Sequence, residues 1–150
     1  MFKKLGLSLL IVMLGLHSSA NEIPIKVYAP IKITTSTPHL QEGDTVEFLV
    51  SKDIYLNSKL YINKDEKIEG VVTSIEPNGF GCKEAVIYVE NFKSRNVDGK
   101  QIKISGIICK RGRTHWMFTQ IIPGLSELIK GGEVQIKPNE SFNLYLEDRL

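Results

Sequence analysis

The chain has 150 residues, with 19 Lys and Arg against 17 Asp and Glu, and 42% of it is hydrophobic. Two of the cations, Lys3 and Lys4, sit in a basic start that the pattern below removes, so the remainder balances at 17 of each sign. A neutral domain of this size can bury its own core, and its charge excludes a nucleic-acid partner held by general basicity.

The first element is an export signal. After Lys3 and Lys4, Leu5 to Leu16 is apolar, broken only by Gly6, Ser8 and Gly15. Ser18-Ser19-Ala20 then places small residues at the −3 and −1 positions of a cut after Ala20. This is the layout of a secretory signal peptide. The run is shorter than the roughly 20 apolar residues a bilayer span needs. The sequence therefore predicts a signal over 1–20 and a single β domain over 21–150. It would be periplasmic or secreted, with no stable membrane anchor after cleavage.

The mature chain reads as short strands between turns. Ile23 to Val27 alternates and tolerates Pro24 as an edge strand does. Ile31 to Thr35, Thr45 to Val50, Ile54 to Leu56, Leu60 to Ile62 and Ile68 to Ile75 continue the series. Pro77-Asn78-Gly79-Phe80-Gly81 is a strong break. Ala85 to Phe92 and Gln101 to Cys109 read as a hairpin about Asp98-Gly99. The first arm is apolar at almost every position from Ala85 to Val89, which predicts burial on both faces and places Val86, Ile87, Tyr88 and Val89 in the core. Trp116 to Ile122 is another strand, and Gly124 to Lys130 a short helix stopped by Gly131-Gly132. Leu125, Leu128 and Ile129 share its apolar face, which would cap a barrel end. Val134 to Ile136 and Ser141 to Leu146 complete an all-β domain, a sandwich or partly open barrel with one short helix.

Two stretches echo each other. Leu60-Tyr61-Ile62-Asn63-Lys64-Asp65-Glu66-Lys67-Ile68 resembles Val134-Gln135-Ile136-Lys137-Pro138-Asn139-Glu140-Ser141-Phe142. The pattern reads as two similar hairpins, with Asp65 and Asn139 where a positive backbone angle is wanted.

Gly43-Asp44-Thr45-Val46-Glu47-Phe48, Leu60-Tyr61-Ile62, Gly70-Val71-Val72-Thr73-Ser74 and Asp98-Gly99-Lys100-Gln101-Ile102 resemble a pattern of small exported bacterial β proteins. The same residues resemble the C-terminal β domain of the outer-membrane channel subunit of conjugative (type IV) secretion systems. There an Ile-Pro-x-Gly-Thr hairpin precedes a Gly-x-Val strand and an Asp-Gly turn. Here Asp65 stands at the hairpin glycine and the Pro-Gly-Thr core is absent. The resemblance implies a β architecture and an envelope location, not channel function.

The densest chemistry is Lys110-Arg111-Gly112-Arg113-Thr114-His115-Trp116. Lys110, Arg111 and Arg113 offer donors to a phosphate or carboxylate, and His115 and Trp116 could flank it. The competing reading is a solvated turn in which Arg111-Gly112 makes the bend. Candidate partners are envelope proteins or an anionic envelope glycan or lipid. Cys82 and Cys109 form a disulfide in one hairpin register; in the register centred on Asp98-Gly99 they stay apart, with Cys82 opposite His115. His39 and His115 have no ligand spacing, so neither metal nor cofactor is expected. No nucleophile elbow or phosphate loop is present. The sequence predicts a non-catalytic binding or scaffolding domain of the bacterial envelope. The alternatives are a subunit of a secretion or surface assembly, or a hydrolase with an unrecognised site.

Overall fold

The structure, a computed structural model, describes residues 22–35, 40–113 and 124–147. The export signal expected over 1–20, His39, His115, Trp116 and the strand expected at Trp116 to Ile122 lie outside the described residues. The strands are β1 (Glu22–Tyr28), β2 (Ile33–Thr34), β3 (Thr45–Val50), β4 (Ile54–Leu56), β5 (Lys59–Ile62), β6 (Lys67–Glu76), β7 (Val86–Arg95), β8 (Gln101–Ser105), β9 (Ile108–Arg111), β10 (Gln135–Ile136) and β11 (Ser141–Glu147).

Six of them close a barrel in the order β6-β3-β1-β11-β8-β7, with β7 returning to pair β6. Every neighbouring pair is antiparallel. An even strand number lets that alternation close without a parallel seam, and closure removes exposed edges. Inward positions follow the two-residue period of a pleated strand. Ile25 and Val27, Val46, Phe48 and Val50, Ile68 and Val72, and Leu144 and Leu146 fill the interior. Phe48 meets Phe92 and Phe142 edge-on, at centroid distances of 6.1 and 5.9 Å. This is the favoured geometry for ring quadrupoles.

Two expectations about the central hairpin change. Ile87 and Val89 are buried, as is Val86, but Tyr88 faces outward and is half-buried, because β7 keeps its alternation there. Asn91, at φ 55°, then takes a left-handed step that turns Phe92 back inward. The arm predicted as one strand from Gln101 to Cys109 is two. Gly106, at φ 137°, breaks it, and a Cβ there would lie 2.8 Å from Leu144 Cδ2. β9 then continues beside β7, outside the closed ring. The short helix is a single 3₁₀ turn, Leu125–Leu128. Leu128 points to solvent and does not cap the barrel.

The sequence echo corresponds to a structural repeat, but of corners and not of the two hairpins expected: β5 pairs β4 while β6 pairs β3, and β10 pairs β2 while β11 pairs β1. Val50 N–H donates to Glu66 O at 3.0 Å, and Asp65 N–H donates to Val50 O at 2.8 Å. In the other copy Ala29 N–H donates to Glu140 O at 3.0 Å, and Asn139 N–H donates to Ala29 O at 2.8 Å. Asp65 and Asn139 have φ of 62° and 64°. Beyond each corner Ile54 pairs Ile62, and Ile33 pairs Ile136. β1 and β3 meet only through Val27 with Val50 and Tyr28 with Leu49. Tyr28 and Leu49 each precede the corner residue of their own copy, so the approximate two-fold axis of the barrel passes between them.

Candidate functional site

The basic segment is positioned by a crossing of three backbones at one end of the barrel. Gly112 N–H donates to Ala85 O at 2.8 Å, Ala85 N–H to Gly132 O at 3.0 Å, and Gly132 N–H to Arg113 O at 3.1 Å. Side chains cannot fit between chains this close. A Cβ on Gly112 would lie 2.1 Å from Gly132 O, and one on Gly132 would lie 2.5 Å from Arg113 O. Gly112 is therefore a place of close approach, not the bend expected from the Arg-Gly pair. Gly131-Gly132 likewise does more than stop a helix.

Beside this crossing lies a groove of about 760 Å³. Lys110, Arg111, Arg113, Glu133, Lys137 and Glu140 are among the residues that line it. The sequence-predicted cations thus come together, joined by Lys137 from the second copy of the echo. Both acids are engaged. Lys110 Nζ donates to Glu140 Oε1 in an ion pair, and Lys137 N–H donates to Glu140 Oε2 at 3.0 Å. Thr35 Oγ1 donates to Glu133 Oε2 at 2.6 Å. Burial pushes the Glu140 carboxyl up, but the Lys110 hydrogen bond, the Lys137 amide and the charges of both lysines outweigh it and hold the group below its ordinary value. Among the described residues, Arg111, Arg113 and Lys137 have no ion pair. Four cations against two occupied carboxylates leave a net positive groove with unspent donors.

Lys137 and Glu140 were not singled out as site residues from sequence. The signal that could have found them was the echo, which marks their turn as a built corner.

Cys82 and Cys109 do not form a disulfide. The β7–β9 register explains why: it pairs Tyr88 with Cys109 and Val86 with Arg111, the turn-centred alternative. Cys82 lies beyond the start of β7, in the Gly79–Lys83 turn, where its N–H donates to Ile129 O at 2.9 Å. A bridge needs Cα atoms within about 7 Å. Cys109 lies beside Tyr88, whose hydroxyl is raised above its ordinary value by the thiol's charge and then by their hydrogen bond. Among the described residues no three His, Cys, Asp or Glu side chains gather as metal ligands would.

The sequence matches no protein-family model and no curated protein.

Proposed function

We propose that this is a non-catalytic binding domain of the bacterial envelope whose groove takes an anionic group, a phosphate or carboxylate, of an envelope component. The observation that carries the reading is an internal control supplied by the repeat. The first corner builds the same turn with Asn63 where the second has Lys137. Extending the β11–β8 register brings Lys110 opposite Glu140, the pair seen. Extending the β6–β7 register from Glu69 with Lys93 brings Asn96 opposite Glu66. The fold therefore closes this corner without either lysine. At the second corner Glu140 takes up Lys110, so the charge beyond what this turn requires is that of Lys137, where the first corner has Asn63.

Arg111 and Arg113 add planar donor forks suited to phosphate or carboxylate oxygens. The export segment supports an envelope location, periplasmic or beyond, for the domain starting at Asn21. Intact mass of the protein from its native host tests that start.

Binding is tested by amide chemical shifts during titration with inorganic phosphate. Saturable shifts are expected at 110–113 and 132–140, weakening with salt because charge screening shortens to about 8 Å at physiological ionic strength. Arg111→Gln with Arg113→Gln should weaken them about tenfold or more, as loss of charge-assisted hydrogen bonds implies. Equal titration of both proteins, or none, refutes the reading.

A further inference from the structure

Past the groove, at the same end of the barrel, two large apolar side chains stand in solvent. Phe80 and Leu128 are each 73% exposed, and no other described large apolar side chain is more exposed. Phe80 lies in a tight turn closed by Gly79 N–H donating to Lys83 O at 2.9 Å. Leu128 ends the 3₁₀ turn. The two loops form one unit: Cys82 N–H donates to Ile129 O and Gly131 N–H to Gly79 O, both at 2.9 Å. Asn78 Nδ2 also donates to Gly131 O at 2.8 Å. Both apolar side chains are thus carried on adjoining, mutually braced backbones.

Charge around them is arranged, not uniform. Lys83 and Lys130 are exposed on the two loops and are matched in number by Glu84 and Glu127. The positive excess comes from the adjoining groove, whose Arg113 is bonded through its carbonyl to Gly132, next to Gly131 of the tip.

We propose that this end of the barrel seats on an anionic lipid bilayer. Phe80 and Leu128 enter the boundary between headgroups and acyl chains, and Arg111, Arg113, Lys83 and Lys130 face lipid phosphates. Two convex side chains offer far less than the roughly 800 Å² per partner of a stable protein interface. A fluid interface needs no complementary shape and rewards apolar area together with nearby cations. Lysine stems can lie along the apolar layer while their ammonium groups stay in water. The charge half of this inference rests on the groove reading above, whereas the apolar half does not.

The test is flotation of the protein starting at Asn21, as proposed above, with vesicles of phosphatidylcholine alone or equimolar with phosphatidylglycerol. The apolar run Leu5 to Leu16, which would bind bilayers by itself, is then absent from every variant. Phe80→Ser with Leu128→Ser should lower partition onto anionic vesicles about tenfold or more, from the apolar area withdrawn. It should leave the melting temperature and the phosphate titration of the groove unchanged. Should the double variant fail to fold, each single substitution should still give a measurable part of the loss. Partition equal to wild type in these variants overturns the proposal. So does a wild-type protein that binds neutral and anionic vesicles alike, or neither. Loss of the phosphate titration alone, with the apolar effect intact, overturns only the groove reading.

Discussion

Gly131→Ala tests whether the close approach of Gly131 to Lys83, next to the backbone crossing, holds the corner beside the groove. The added Cβ would lie 2.0 Å from Lys83 O and 2.2 Å from Lys83 C. Those are main-chain atoms and cannot swing aside as a side chain would. The segment must lift, and three hydrogen bonds stretch or break: Gly131 N–H to Gly79 O, Cys82 N–H to Ile129 O, and Asn78 Nδ2 to Gly131 O. At about 1 kcal/mol net for each, the loss is about 3 kcal/mol. Against it stands a gain of about 0.4–1 kcal/mol from a less flexible unfolded chain. The net, about 2–3 kcal/mol, falls on this corner, because none of the three bonds belongs to the closed ring. Local opening should therefore exceed global destabilisation. Amide exchange at Cys82 and Gly131 should quicken about 30- to 100-fold, at tenfold per 1.4 kcal/mol. Amides of Ile25, Phe48 and Val72 should keep their protection, and phosphate titration of the groove should weaken. Unchanged exchange at Cys82 and Gly131 would refute the close approach of Gly131 to Lys83.

Other outcomes follow from the same geometry. Ile87→Ala and Val89→Ala remove side chains with no exposed surface. Ile87→Ala should cost about 2–5 kcal/mol and Val89→Ala toward the lower end of that range, read by denaturant melts. Tyr88→Ala, on the outer face, should cost clearly less. Glu140→Gln should lower stability near neutral pH. The carboxyl is held below its ordinary 4.5 in the folded protein, so its contribution is full above that value and is lost as pH falls through the lower folded one. The wild-type advantage over Glu140→Gln should thus vanish in acid, and an advantage that grew in acid would contradict the ion-pair assignment. Reductant should leave the melting curve unchanged, and Cys109, which is exposed, should react with a maleimide in the native protein. A melting temperature that fell with reductant would restore the disulfide.

The strand pattern was legible because alternation is a local consequence of the pleat. Thr45 to Val50 and Ile54 to Leu56 agree with β3 and β4 at both ends. The echo was legible too, since Asp65 and Asn139 answer a local backbone demand. What was hidden depends on partners far along the chain. Gly106 breaks the β8–β9 line because Leu144 of β11 packs where a Cβ would go. Gly112 and Gly132 look like turn residues in sequence, yet each makes room for the other's backbone. Tyr88 sits in an apolar run, but only the pairing of β7 with both neighbours decides which face it takes. For the site, Lys110, Arg111 and Arg113 announced themselves by adjacency. Lys137 could not, because the register of β11 against β8 brings it there.

The pairing of β1 with β11 also governs the order in which the barrel can form. Seven residues of the first strand, Glu22 to Tyr28, find their main partner in Ser141 to Glu147. Until those arrive, β1 holds only the two-residue contact with β3. A chain delivered N-terminus first can assemble β3, β6, β7 and β8 as a local sheet. It cannot close the ring until Ser141 to Glu147 emerge. During that interval β1 and β8 present unpaired edges, the surfaces most open to wrong partners. Closure is a non-local event, and the entropy of bringing two strands so distant in sequence together weighs on the folding rate far more than on the finished barrel's stability.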